Sequence, residues 1–160
     1  MDRLRAIAAM VFVLAALSAC TPGKSHVPGM IGAQDDIRER LSDVIISNGF
    51  SHGLRHHRDG LGHYDELNIS ISLDSLKGRH LSLEKLMMDI GSICAHPSYA
   101  HLPIRIFIGA GDEDDQMYLY AILATAVRGS PNVALLTAND SRNDSRNQLI
   151  VTVLHRDQGE

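Results

Sequence analysis

The stretch PIRIFIGAGDEDDQMYLYAILATAVRG, Pro103 to Gly129, decides the fold. Its first part is a largely apolar run ending in Gly-Ala-Gly, which predicts a buried strand, central in its sheet. Four consecutive acids follow, Asp112 to Asp115, and then QMYLYAILATAVRG, apolar nearly all round and stopped by Gly129. That second part predicts a well-buried helix. Acids between a glycine turn and a helix cap free amides and complement the positive end of the helix dipole. The same charges repel phosphate, so nucleotide binding is excluded.

Working outward, Leu67, Ile69, Ile71 and Leu73 in ELNISISL alternate with polar residues and predict a strand with one buried face. In LSLEKLMMDIGSIC the residues Leu83, Leu86, Met87, Ile90, Ile93 and Cys94 repeat at helical spacing, up to a stop near His96-Pro97. NVALLT and NQLIVTVLH predict two more strands across a polar loop holding the tandem NDSRNDSR, Asn139 to Arg146, a tolerated surface insertion. The order is strand, helix, strand, helix, strand, strand: an α/β two-layer sandwich with helices against one sheet.

Upstream, DDIRERLSDVIISNG carries Ile37, Leu41, Val44 and Ile45 on one helical face, with Asn48-Gly49 as its stop. TPGKSHVPGMIGAQ, Thr21 to Gln34, is rich in Pro, Gly and small residues and predicts a tether. FSHGLRHHRDGLGHYDE predicts a loop by its glycines and gathers His52, His56, His57 and His63. Imidazoles a few residues apart are zinc-ligand chemistry. However, Gly53, Gly60 and Gly62 oppose a helix, Arg55 and Arg58 crowd a cation, and no acid or Cys pattern completes a site. The expectation is a solvated loop or a weak pH-sensitive patch, with a metal site or a metal-dependent hydrolase as the alternative. No Ser-x-Gly elbow, Cys-His arrangement or His-Glu-x-x-His motif supports catalysis. The reading is therefore not an enzyme.

The chain opens MDRLRAIAAMVFVLAALSAC, with Arg3 and Arg5 ahead of an apolar run from Ala6 to Leu17. This is the pattern of a secretory signal peptide, too short for the roughly 20 apolar residues of a comfortable bilayer span. Its ending, Leu17-Ser18-Ala19-Cys20, resembles the lipobox of bacterial lipoproteins. The resemblance implies removal of residues 1–19, lipidation of Cys20 with diacylglycerol and palmitate-type acyl chains, and anchoring by three chains. Thr21 stands where an Asp would signal inner-membrane retention, so the implied address is the outer membrane, facing the periplasm.

The chain has 15 Lys+Arg and 19 Asp+Glu; without Asp2, Arg3 and Arg5 these become 13 and 18, a net charge of −5. Such a balance disfavours nucleic acid and anionic lipid surfaces. Of the 2 Cys, Cys94 is left on an apolar helix face and predicts a buried, inert thiol.

The element order, on a lipoprotein, resembles the OmpA-like C-terminal domain family, whose members hold peptidoglycan. Gly109, Ala110, Gly111 and Asp112 stand at its Gly-His-Thr-Asp motif, Leu119, Leu123, Ala124 and Val127 fall along its second-helix pattern, and Asn147 opens the last strand. The resemblance implies ligand contacts at Asp112 and Asn147, with Leu123 in place of the family's carboxylate-binding Arg and no cation before Arg128.

The implied domains are a signal peptide over 1–19, lipidated Cys and tether over 20–34, a short helix and His-rich loop over 35–64, and an OmpA-like α/β domain over 65–160. The implied function is a structural or interaction lipoprotein of the envelope, similar to accessory lipoproteins of type IVB (Dot/Icm-type) secretion or conjugation machines. Its partners are the membrane and envelope proteins, and no cofactor beyond the covalent lipid is expected. A peptidoglycan-binding lipoprotein is the alternative.

Overall fold

A computed structural model describes residues 30–59, 62–137 and 147–154; the predicted signal peptide, Cys20, most of the predicted tether and the NDSRNDSR repeat lie outside them. Nine elements and a 3-10 turn follow one another: α1 (Met30–Ser47), β1 (His52–Asp59), β2 (Gly62–Ser70), α2 (Leu73–Lys77), α3 (Leu81–Cys94), the turn Pro97–Tyr99, β3 (Ile104–Gly109), α4 (Glu113–Ala126), β4 (Val133–Thr137) and β5 (Gln148–Leu154). The five strands form one sheet in the order β1-β2-β5-β3-β4. Only β3 and β4 pair in parallel; every other neighbour is antiparallel.

Alternation along the inner strands sets the layers. In β5 every second residue is buried, Leu149, Val151 and Val153, and these meet Ile104, Ile106 and Ile108 of β3 and Leu67 and Ile69 of β2 in one core. The helices cover that face, giving the two-layer α/β sandwich. Burial of each such aliphatic side chain contributes about 1.5–3 kcal/mol of transfer free energy. The opposite face carries Arg55, Glu66, Arg105, Phe107 and Leu136 toward solvent.

The helices bury stripes, not whole surfaces. Helix α1 buries Ala33, Ile37, Leu41 and Ile45, one residue per turn, and stops at Gly49, whose φ of +83° suits glycine. In α3 the buried set is Leu83, Leu86, Met87, Ile90, Gly91 and Cys94. Gly91 lets α4 approach closely, since a Cβ there would lie 2.4 Å from the Cβ of Ala126. Burial pushes the Cys94 thiol up to about 12, so it is inert, and it forms no disulfide.

Four expectations need correction. Helix α1 begins at Met30, not Asp35, because Ala33 extends the buried stripe by one turn into the predicted tether. The predicted His-rich loop is a β-hairpin, β1 paired with β2 from His52↔Ile69 to Asp59↔Gly62. The strand over ELNISISL ends at Ser70: Ser72 caps α2 by accepting from the Ser75 amide at 3.1 Å, and Leu73 is exposed. Helix α4 is buried only along Asp115, Leu119 and Leu123, while Met117 is 56% exposed. Tyr118, Tyr120 and Ile122 are only partly buried against the core.

Among the described residues no helix is long and apolar enough to cross a membrane.

Candidate functional site

Strand β3 ends at Gly109, and Asp112 takes the extended conformation of an N-cap, φ −137° and ψ 162°. Its Oδ1 accepts from the Asp115 amide at 2.8 Å, satisfying one of the free donors at the start of α4. The neighbouring Gly111 amide donates to Asn147 Oδ1 at 2.9 Å, and the Asn147 carbonyl accepts from the Ile71 amide at 2.8 Å. Asn147 thus ties the turn after β3 to the end of β2 and the start of β5. The two residues singled out by resemblance, Asp112 and Asn147, do meet at one corner of the sheet.

The corner is already filled with charge. Lys77, the last residue of α2, places its Nζ on Asp112 Oδ2 and 2.6 Å from Asp115 Oδ2. Asp115 is buried, and Arg79 Nη2 lies 3.8 Å from its other oxygen. The Arg79 backbone sits at φ +49°, a left-handed conformation uncommon for a residue with a Cβ. Its guanidinium stacks over Tyr118, 3.7 Å from the ring centroid, and Tyr118 donates to Glu84 Oε1 at 2.6 Å. Hydrogen bonding to Lys77 holds the Asp112 carboxyl below its ordinary range, helped by the Asp115 amide. The same bonds, first to Asp112 and then to Asp115, hold the Lys77 ammonium above its ordinary value. Burial, then the Glu84 hydrogen bond, pushes Tyr118 up to about 12.

Leu123 does not face Asp112. It is fully buried in the core, further along the same helix, so the position aligned with the family's Arg is not at the ligand corner. The cation expected to be missing before Arg128 is present as Lys77, with Arg79 behind it. Neither could be reached by aligning α4, because Lys77 ends α2 and Arg79 follows in the turn after it.

The four histidines divide between the faces of the hairpin. Register partners in an antiparallel pair share a face. His52, His56 and His63, opposite Ile69, Asp65 and Arg58, lie on the helix side; His57, opposite Tyr64, lies on the other. His52 Nε2 is 2.8 Å from Ser42 Oγ, His56 Nδ1 bonds the buried Asp65, and His57 stacks on Tyr64 with centroids 4.6 Å apart. Arg38 of α1 reaches Asp65 at 3.4 Å, so Asp65 joins α1 to the hairpin. Four residues of strand separate the His52 and His56 backbones by about 13 Å, and their rings are committed to different partners, Ser42 and Asp65. Among the described residues no group of three or more His, Cys, Asp or Glu is arranged to hold a metal.

Searches against protein-family models and against curated proteins returned no match for this chain. What the coordinates define is a class: a two-layer α/β domain whose strand-to-helix corner is cross-linked by its own charges.

Proposed function

We propose that the chain is a lipid-anchored, periplasm-facing envelope protein, without enzymatic activity, that works by interaction with other envelope proteins, as in a secretion or conjugation machine. Two features support this reading. Leu17-Ser18-Ala19-Cys20 supplies the lipidation motif. From β2 onward the elements follow the strand-helix-strand-helix-strand-strand order on which the OmpA-like resemblance rests, with α2 added. The observation that carries the non-ligand role is Lys77: an ammonium from the chain's own fold occupies the Asp112–Asp115 carboxylates, so the corner braces α2 against α4.

Metabolic labelling with palmitate, followed by fractionation, tests the anchor. Label should enter the wild-type chain and be lost in Cys20→Ser, which should leave the outer-membrane fraction. Equal labelling of both chains ends this reading. Crosslinking in native membranes should then capture envelope proteins.

Peptidoglycan binding is a second reading, favoured by the meeting of Asp112 and Asn147 beside Lys77 and Arg79. Retention on purified sacculi, weakened in Asp112→Asn, is its expected result. No retention, or retention indifferent to Asp112→Asn, removes it.

A further inference from the structure

At the end of the sheet away from Asp112 lies an open cavity of about 470 Å³. Ala100, His101, Pro103, Arg105, Pro131 and Leu154 form most of its wall. Its volume falls within the range of about 300–1,000 Å³ usual for ligand sites. Its chemistry is one-sided: among the described residues Arg105 and His101 line it and no Asp or Glu does, in a chain that is acidic overall.

Arg105 is an unusual residue for its position. It stands on β3, an inner strand, between Thr152 of β5 and Ala134 of β4, and it is exposed on the open face of the sheet. Among the described residues the nearest acid across that face, Glu66, is two strands away, about 10 Å by strand spacing. Among the described residues neither Arg105 nor His101 has an ion-pair partner or a side-chain hydrogen bond. A guanidinium presents a planar set of donors that matches a carboxylate.

The frame around this pair is rigid. Pro103 and Pro131 fix two walls, and the Asn132 side-chain amide donates to the carbonyls of Cys94, Tyr99 and Leu102 at 3.4, 3.1 and 3.2 Å. A preformed site loses less freedom on binding. The cavity borders β4, an edge strand with no strand on its outer side among the described residues. An extended backbone entering the cavity can continue along that edge.

We infer that this cavity is a docking site for an acidic peptide segment of a partner protein, its carboxylate on Arg105 and His101 and a flanking apolar side chain against Pro103, Pro131 and Leu154. The site is separate from the Asp112 corner and does not depend on peptidoglycan binding. Charge complementarity selects the occupant: the walls take an apolar group, and the Arg105 guanidinium, with no acid beside it among the described residues, takes a carboxylate that the His101 ring can also hydrogen-bond.

The test is a titration of the full-length, isotope-labelled chain with acetyl-Leu-Glu-Leu amide, followed by amide NMR, with acetyl-Leu-Gln-Leu amide as the matched neutral probe. Saturable shifts should cluster at Ala100, Arg105, Ala134 and Leu154. The Gln peptide, or the Arg105→Gln chain, should bind about tenfold more weakly or worse, since a charge-assisted hydrogen bond is lost. No saturable shifts with the Glu peptide, shifts centred elsewhere, or equal affinity for the two peptides would overturn the assignment. Arg105→Lys should recover part of the lost affinity; a recovery equal to Arg105→Gln would also count against it.

Discussion

Strand β3 has two differently treated ends. Where it finishes, Asp112, Asp115, Lys77 and Arg79 form one network, and α2, α4 and the start of β5 are joined through it and Asn147. Where it begins, Arg105 and His101 line a cavity and meet no acid among the described residues. Paired charge near a helix start contributes to holding the fold, and unpaired charge on a rigid wall contributes nothing to it. The contrast separates residues that can change without loss of structure from those that cannot.

The strongest challenge to this contrast is to put a cation where the family resemblance asks for one. Leu123→Arg would restore the motif, but the side chain would enter the core. Destabilisation of more than about 4 kcal/mol is expected in urea unfolding, with no gain of binding to sacculi. A folded, sacculus-binding Leu123→Arg chain would break the distinction drawn here. Next in size is Asp115→Ala, which removes a buried acceptor from Lys77 and Arg79 and should cost about 1–3 kcal/mol.

A smaller effect is expected from Asp112→Asn, which keeps a capping oxygen and loses the charge. The folded carboxyl is held below its ordinary 3.8, so its stabilisation is present above that value and fades as pH falls through the lowered one. Lys77 is held above 10.5, so its share is present below 10.5 and fades as pH rises through the raised value. The difference in urea midpoint between wild type and Asp112→Asn should therefore be flat through neutral pH and shrink at both extremes. A difference unchanged in strong acid would mean that the Lys77 contact contributes nothing. At the other end of β3, Arg105→Gln should leave stability within about 0.5 kcal/mol of wild type. A larger loss would show that Arg105 is structural after all.

The sequence was readable where burial imposes a period. Leu83 to Cys94 and the runs that became β3, β4 and β5 carry their hydrophobic pattern openly, and the layer architecture follows from their order. Strand β1, HGLRHHRD, has a single large aliphatic residue, so no alternation marked it; it is a strand because β2 offers a ladder of partners. The start of α1 was hidden by small residues, which read as tether until Ala33 is seen to extend the buried stripe.

At the candidate site, Asp112 was legible as a cap and as a motif position. Lys77 was not, because its contact with Asp112 spans 35 positions and joins an exposed five-residue helix to a loop, with no spacing rule linking the two. The charge that decides what Asp112 does is therefore a tertiary fact.

The position of β5 has a consequence for how the sheet is assembled. It is the last described strand in the chain, yet it lies in the middle of the sheet, between β2 and β3, and Asn68 contacts Gln148 across 80 positions. Until it inserts, β2 and β3 face one another across a slot one strand wide, each with an unpaired row of amides and carbonyls. Pairing this distant in sequence is slow to form, and such a slot is a template for any foreign strand that arrives first. The chain is therefore most exposed to mispairing before β5 is in place.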